Sequence, residues 1–219
     1  NTMGMREMQM RIYKKYASQY LLLKAPPASG KSRALMFVAL EKLRTGLVKK
    51  VIVAVPERSI GKSFASTKLT ENGFHTDWVV SRRYDLCTPG GEPMKTAAFA
   101  GFMDDNNEQI LLCTHSTLRF AYEKIGKGKF NDCLLAIDEF HHVSAEADSK
   151  LGELLRAIMA DTNAHILAMT GSYFRGDCAA VLSPSDERRF EKVTYNYYEQ
   201  LNGYKYLKSL GIGFHFYTG

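Results

Sequence analysis

The chain has 219 residues, of which 45% are apolar and 24% charged, and a formal net charge of +6. These values exclude a disordered or low-complexity chain and fit one large domain, or a domain with a short extension, that can bury a sizeable core. No apolar run is long enough to span a bilayer, so no membrane partner is expected. The modest basic excess suits contact with phosphate polyanions, with ordinary solubility charge as the alternative.

Residues 1–4 read as a leftover ahead of a second start at Met5, and no signal-peptide pattern follows. Short apolar runs then recur at residues 20–23, 51–55, 77–80, 110–113, 133–137 and 165–169, with 193–195 as a seventh. The run at 77–80 is the weakest. Runs this short, and apolar almost throughout, suit strands buried on both faces of a parallel sheet. Between them lie amphipathic stretches. Residues 32–43 place Leu35, Phe37, Val38 and Ala39 together, and residues 150–160 carry Leu151, Leu154, Leu155 and Ile158 in a 3.6-residue stripe. Alternating strand and helix signals predict an α/β domain with right-handed crossovers.

Residues 87–108 interrupt the alternation. A Thr88-Pro89-Gly90-Gly91-Glu92-Pro93 turn cluster and an Asp104-Asp105-Asn106-Asn107-Glu108 polar cluster predict a surface excursion there. From Phe190 onward the chain is rich in aromatics. Packing, against a neighbour outside the chain, is the favoured reading over a base-stacking platform. The four cysteines, Cys87, Cys113, Cys133 and Cys178, form no CxxC pair and no Cys/His array. Two of them fall inside apolar runs, where a free thiol acts as a small hydrophobe, and the pattern reads as a reducing, cytoplasmic compartment.

Chemistry enters at the first strand. Residues 20–32 read Tyr-Leu-Leu-Leu-Lys-Ala-Pro-Pro-Ala-Ser-Gly-Lys-Ser, an apolar strand, a loop and a helix start. That is the context of a phosphate-binding P-loop made by Ala25, Pro26, Pro27, Ala28, Ser29, Gly30, Lys31 and Ser32. Gly30 supplies a backbone conformation closed to other residues. The helix that follows aims its positive end at the same anion. Lys31 would reach the β and γ phosphates of ATP, and Ser32 would place its hydroxyl on Mg2+. The first glycine of the usual loop is Ala25 here. A chance Gly-Lys-Ser at a helix start is the bland alternative, disfavoured by the flanks.

The second element is Cys-Leu-Leu-Ala-Ile-Asp-Glu-Phe-His-His at residues 133–142. An apolar strand delivers two acids at its C-terminal end, the edge where open α/β sheets bind ligands. Asp138 would hold Mg2+, directly or through water, and Glu139 would orient the attacking water. Adjacent carboxylates repel, so a metal or partner cation is expected beside them. An acidic helix start would look the same in isolation.

Together these pieces resemble superfamily 2 helicases and translocases. Asp138-Glu139-Phe140-His141 is similar to the family's Asp-Glu-x-His box. Met5-Arg6-Glu7-Met8-Gln9 looks like the N-terminal element that places a Gln, here Gln9, near adenine. Val53-Ala54-Val55-Pro56 with Glu57-Arg58-Ser59 is similar to motif Ia, and Leu112 to Leu118 to the threonine-containing motif before the acid box. Met169-Thr170-Gly171-Ser172-Tyr173-Phe174-Arg175-Gly176-Asp177 resembles motif III in the form carried by type III restriction subunits. Ala25, Ser172 and Tyr173 depart from the usual residues and bear on the subgroup more than on the ATPase.

The resemblance covers residues 6–200 and implies a RecA-like P-loop NTPase sandwich, with residues 5–200 as the first ATP-binding lobe and 201–219 as the start of a linker toward a second RecA-like lobe. It implies that Thr170, Gly171 and Ser172, with His141, couple the nucleotide to grip on nucleic acid, DNA more than RNA. Thr170 and Ser172 capping the next turn is the alternative. His142 is read as structural. Arg58, Lys62, Thr114 and Ser116 would line the nucleic-acid track, where phosphate oxygens accept hydrogen bonds without sequence preference. Arg58 and Lys62, spaced i, i+4, would share one helical face; a solvated basic face explains them nearly as well. No Gln-x-x-Gly-Arg-x-x-Arg run is present, so the arginine finger is expected from the second lobe and efficient turnover from a longer chain. A different P-loop ATPase such as a packaging motor, and a non-catalytic nucleic-acid-binding module of the same fold, are the competing readings.

Overall fold

A computed structural model describes residues 4–26, 29–140, 145–171 and 183–195, with residues 145–149 described in backbone only. In chain order these form α1 (Glu7–Tyr13), β1 (Tyr20–Lys24), α2 (Lys31–Arg44), β2 (Lys50–Val55), α3 (Glu92–Asp104), β3 (Ile110–Thr114), α4 (His115–Ile125), β4 (Cys133–Ile137), α5 (Ala145–Asp161), β5 (His165–Thr170), α6 (Pro184–Glu187) and β6 (Glu191–Thr194). The six strands make one sheet in the order β3-β2-β4-β5-β1-β6, every pair parallel.

Side chains alternate across the sheet, so each strand feeds two cores. Leu21 and Leu23, Val51, Val53 and Val55, Leu134 and Ala136, and Leu167 and Met169 face one way, onto α1 and α2. Tyr20 and Leu22, Ile52 and Ala54, Leu135 and Ile137, and Ile166 and Ala168 face the other, onto α3, α4 and α5. The result is a three-layer sandwich. Strands buried on both faces must be apolar at every position, which is why they read as continuous runs. All the strands point the same way, so the loops leaving β1, β2, β3, β4 and β5 gather on one edge.

Two expectations are corrected. Residues 77–80 form no strand: Trp78 makes a single antiparallel bridge to Thr67 inside a loop. Its indole is fully buried and its Nε1 donates to the Phe64 carbonyl at 2.9 Å, so burial of one large ring produced the apolar signal. Residues 87–108 are more than a surface excursion, because they contain α3. Pro93 stands in the first turn, where its missing N–H is harmless, and Phe99 and Phe102 are fully buried. The turn signals that hid this helix mark its two ends. The seventh run is borne out as β6, which pairs with β1 from Leu21 to Lys24. Cys113 and Cys133 are buried in the strands and, with half-buried Cys87, are free thiols; burial pushes the Cys87 and Cys133 thiols up to about 12. Cys178 lies outside the described residues.

Candidate active site

The chain leaves β1 at Lys24 and turns at once. Ala25 is buried, and its N–H donates to the Thr170 carbonyl at 3.0 Å, which ties the loop to the end of β5. The Ser29 hydroxyl, also buried, donates to the Pro26 carbonyl at 2.6 Å and closes the loop on itself. Pro27 and Ala28 lie outside the described residues. Gly30 enters α2 in the left-handed region, φ 92° and ψ 27°. That backbone angle favours glycine, and a Cβ there would lie 2.5 Å from Gln9 Nε2, so a larger residue would also displace the Gln9 amide. No side chain caps α2 at Gly30 and no acid stands in its first turn, so its first N–H groups and its dipole favour an anion.

Gln9 is a structural part of this cradle. It is buried on α1, its Nε2 donates to the Gly30 carbonyl at 3.0 Å, and its Oε1 accepts from the Arg6 N–H at 2.8 Å.

The acid pair arrives from β4. Asp138 is 6% exposed, and its N–H donates to the Ala54 carbonyl at 2.9 Å. Burial pushes its carboxyl up to about 6; the nearby Lys31 ammonium opposes that shift and the Glu139 carboxylate adds to it. Glu139 adopts φ 49°, unusual for a residue other than glycine, asparagine or aspartate. Its Oε1 meets Lys31 Nζ at 2.7 Å, with the two side chains 22% and 11% exposed. The cation expected beside the acids is therefore the P-loop lysine itself. One cavity of about 590 Å³ is lined by Gln9, Gly30, Lys31, Ser32, Asp138 and Glu139, among others.

The remaining sequence candidates fall elsewhere. Thr170 and Gly171 are buried at the end of β5, beside the loop that carries Ala25. His141 and Ser172 lie outside the described residues, as does His142. Thr114 is 7% exposed and caps α4, its Oγ1 accepting from the Thr117 N–H at 3.2 Å. Ser116 is half-buried in the first turn of α4. Arg58 and Lys62 are both exposed but do not share a helical face, because Arg58–Phe64 is a 3-10 helix. With three residues per turn, positions four apart point about 120° from one another.

Several site residues escaped the sequence reading. Arg6, Arg33 and Met36 line the cavity beside Gln9 and the α2 start. His115, buried at the start of α4, donates from Nε2 to the Asp138 carbonyl at 2.9 Å and so fixes the backbone of the acid pair. Its position directly after a strand-ending threonine was the available signal.

A doubly covered parallel sheet, with a glycine-bearing loop after one strand and an acid pair, Asp138 buried and Glu139 half-buried, after another, defines a RecA-like nucleotide-binding lobe. The chain belongs to the DEAD/DEAH box helicase family, whose profile matches residues 6–177. Across all 219 residues it is 62% identical to the protein named "Putative ATP-dependent helicase YeeB" of Bacillus subtilis (strain 168), of whose length it spans 36%. In fold it is similar to the Hef helicase domain of Pyrococcus furiosus, with a TM-score of 0.61, 15% identity, and coverage of 90% of this chain and 39% of that one. It is also similar to the UvsW helicase of bacteriophage T4, with a TM-score of 0.54, 15% identity, and coverage of 87% and 59%.

Proposed function

We propose that this lobe binds ATP with Mg2+ and, within a longer protein, hydrolyses it to drive movement along nucleic acid. The observation that carries the proposal is the Lys31–Glu139 pair at 2.7 Å, set beside buried Asp138 in the cavity that the Gly30 cradle opens onto. A phosphate group competes with Glu139 for Lys31. Once Lys31 turns to the β and γ phosphates, Glu139 is released to orient and polarise the attacking water, in a reaction that depends on positioning and electrostatics. Ser32 and Asp138 offer a hydroxyl and a carboxylate to Mg2+, which is commonly held by one or two protein oxygens together with substrate phosphates. The ion would neutralise charge developing on the phosphoryl oxygens. It would also favour ionised Asp138, which burial alone disfavours.

Gln9, fixed on the cradle, is assigned to the adenine. Thr170, Gly171 and Ser172, with His141, are assigned to coupling, since Thr170 shares a hydrogen bond with the P-loop through Ala25. Arg58, Lys62 and Ser116 are assigned to the nucleic-acid track, with Thr114 shaping the turn that presents Ser116. DNA is our preferred track, on the likeness of residues 169–177 to the type III restriction form. A second RecA-like lobe would supply the arginine finger, and the lobe alone would turn ATP over poorly. Among the described residues no helix is long and apolar enough to cross a membrane, and we place the protein in the cytoplasm.

The test is phosphate release by the intact protein with and without DNA or RNA. Stimulation by nucleic acid, lost in Lys31→Ala, is the expected result. Turnover indifferent to both nucleic acids would refute the motor reading.

A further inference from the structure

The 3-10 helix after β2 has three columns of side chains. One holds Arg58, exposed at the helix start, followed by Gly61 and Phe64, both buried. A second holds Ser59 and Lys62, both exposed. The third holds Ile60 and Ser63, and these two line the cavity that contains Lys31, Asp138 and Glu139. Thr67, just beyond the helix, lines the same cavity.

This segment is held firmly from behind. A Cβ at Gly61 would lie 2.7 Å from Cys87 Cβ, so the helix backbone rests directly on the Cys87 side chain. The Phe64 carbonyl accepts from buried Trp78 Nε1, and Thr67 and Trp78 exchange backbone hydrogen bonds at 2.8 and 3.0 Å. The wall is therefore in place before a ligand arrives, which lowers the ordering cost of binding.

The cavity divides by chemistry. Lys31, Ser32, Asp138 and Glu139 suit phosphates and their metal. The rest offers Ile60 and Met36 as apolar surface and Ser63 and Thr67 as hydroxyls, with Arg6 and Arg33 as the cations beside Gln9 and the start of α2. An apolar face with a few placed polar groups is what a flat base and its sugar require. We propose that Ile60, Ser63 and Thr67, together with Gln9, form the wall that receives the nucleoside half of the bound nucleotide. The inference rests on the ATP-site reading above. It places Lys62, assigned to the track, on the same turn as two nucleotide-facing residues.

Two probes separate the halves of the site. Binding of a non-hydrolysable ATP analogue and of inorganic tripolyphosphate, each with Mg2+, is measured on the intact protein. The double variant Ile60→Ala, Ser63→Ala is expected to bind the ATP analogue about tenfold more weakly, with tripolyphosphate binding unchanged. Lys31→Ala should weaken both probes. Ser63 is exposed, so Ser63→Ala alone, expected to cost about threefold for the ATP analogue only, decides the matter if the double variant does not melt cooperatively. Ser63→Thr, which keeps the hydroxyl, should bind like wild type. If the wall variants weaken both probes alike, or neither, the wall assignment is overturned while the phosphate site stands. If the wild type binds neither probe, the ATP-site reading falls and takes the wall with it.

Discussion

Strand β4 is bracketed by two left-handed residues, Asp132 (φ 63°) just before it and Glu139 (φ 49°) just after it. They are held in different ways. The Asp132 N–H donates to Asn163 Oδ1 at 2.7 Å, and its Oδ1 accepts from Asn163 Nδ2 at 3.0 Å. The Asn163 N–H donates in turn to Asn131 Oδ1 at 3.0 Å. Aspartate also tolerates this backbone region better than most residues. Glutamate does not, and Glu139 is kept there by its neighbours: the Asp138 N–H bonds to Ala54 and the Phe140 N–H to Met169. Its side chain is left for Lys31.

Buried charge follows the same division. At the Asp132 edge, Lys42 is fully buried, yet Nζ donates to the Ser18 carbonyl at 2.8 Å and lies 2.6 Å from His165 Nδ1. A neutral imidazole accepts that bond. Burial lowers the Lys42 ammonium to about 7 and, with help from Lys42, the His165 ring to about 4. At the Glu139 edge, Asp138 is buried beside a second carboxylate, and it is that second carboxylate that Lys31 pairs with. One end of the sheet is matched within itself, and the other holds strain and crowded charge that a ligand would relieve.

The largest expected effect breaks the functional end alone. Glu139→Gln should lower nucleic-acid-stimulated phosphate release by about a hundredfold or more, while its melting temperature stays close to wild type. A collapse in melting temperature would instead make Glu139 a structural residue. Next comes the matched end. The folded-state pKa of Lys42, about 7, lies below its ordinary 10.5, so the unfolded chain holds more protons between those values. Stability should rise with pH across that window, by about 3 kcal/mol from this group. Lys42→Met should flatten the rise in urea melts at pH 7 and 10; an unchanged slope would show that the buried ammonium is not its source.

The sign reverses at Asp138. Its folded-state pKa, about 6, lies above the ordinary 3.8, so the folded state holds the extra proton between them and loses stability as pH rises through about 6. Asp138→Asn should therefore stabilise the protein by about 2 kcal/mol at pH 7 and hardly at all at pH 4, while turnover is lost. Equal effects at both pH values would contradict the burial account. The smallest effect is Asn163→Ala, expected to cost about 1 kcal/mol in urea melts with phosphate release unchanged.

What was legible in the sequence follows how local each feature is. The cradle and the acid pair are contiguous strings at strand ends, so Gly30, Lys31, Ser32, Asp138 and Glu139 could be named together. Strands buried on both faces show themselves as apolar runs. Gln9 was a weak motif by spelling, and its place rests on one hydrogen bond to Gly30 that no local pattern encodes. Helix α3 was hidden by the turn residues at its ends. The wall at Ile60, Ser63 and Thr67 depends on Gly61 meeting Cys87 and on Trp78 reaching back to Phe64, contacts between distant residues. A helical i, i+4 rule applied to residues 58–62 failed because the local winding is three residues per turn.

On nucleotide binding, Lys31 is expected to exchange Glu139 for a triphosphate. Binding of a non-hydrolysable ATP analogue with Mg2+ to the intact protein tests it most directly, with wild type, Lys31→Ala and Glu139→Gln compared. Affinity is expected to be about tenfold or more weaker in Lys31→Ala, and equal to or tighter than wild type in Glu139→Gln, where the lysine has lost its competing carboxylate. Undiminished binding in Lys31→Ala, or an equal loss in both variants, would contradict it.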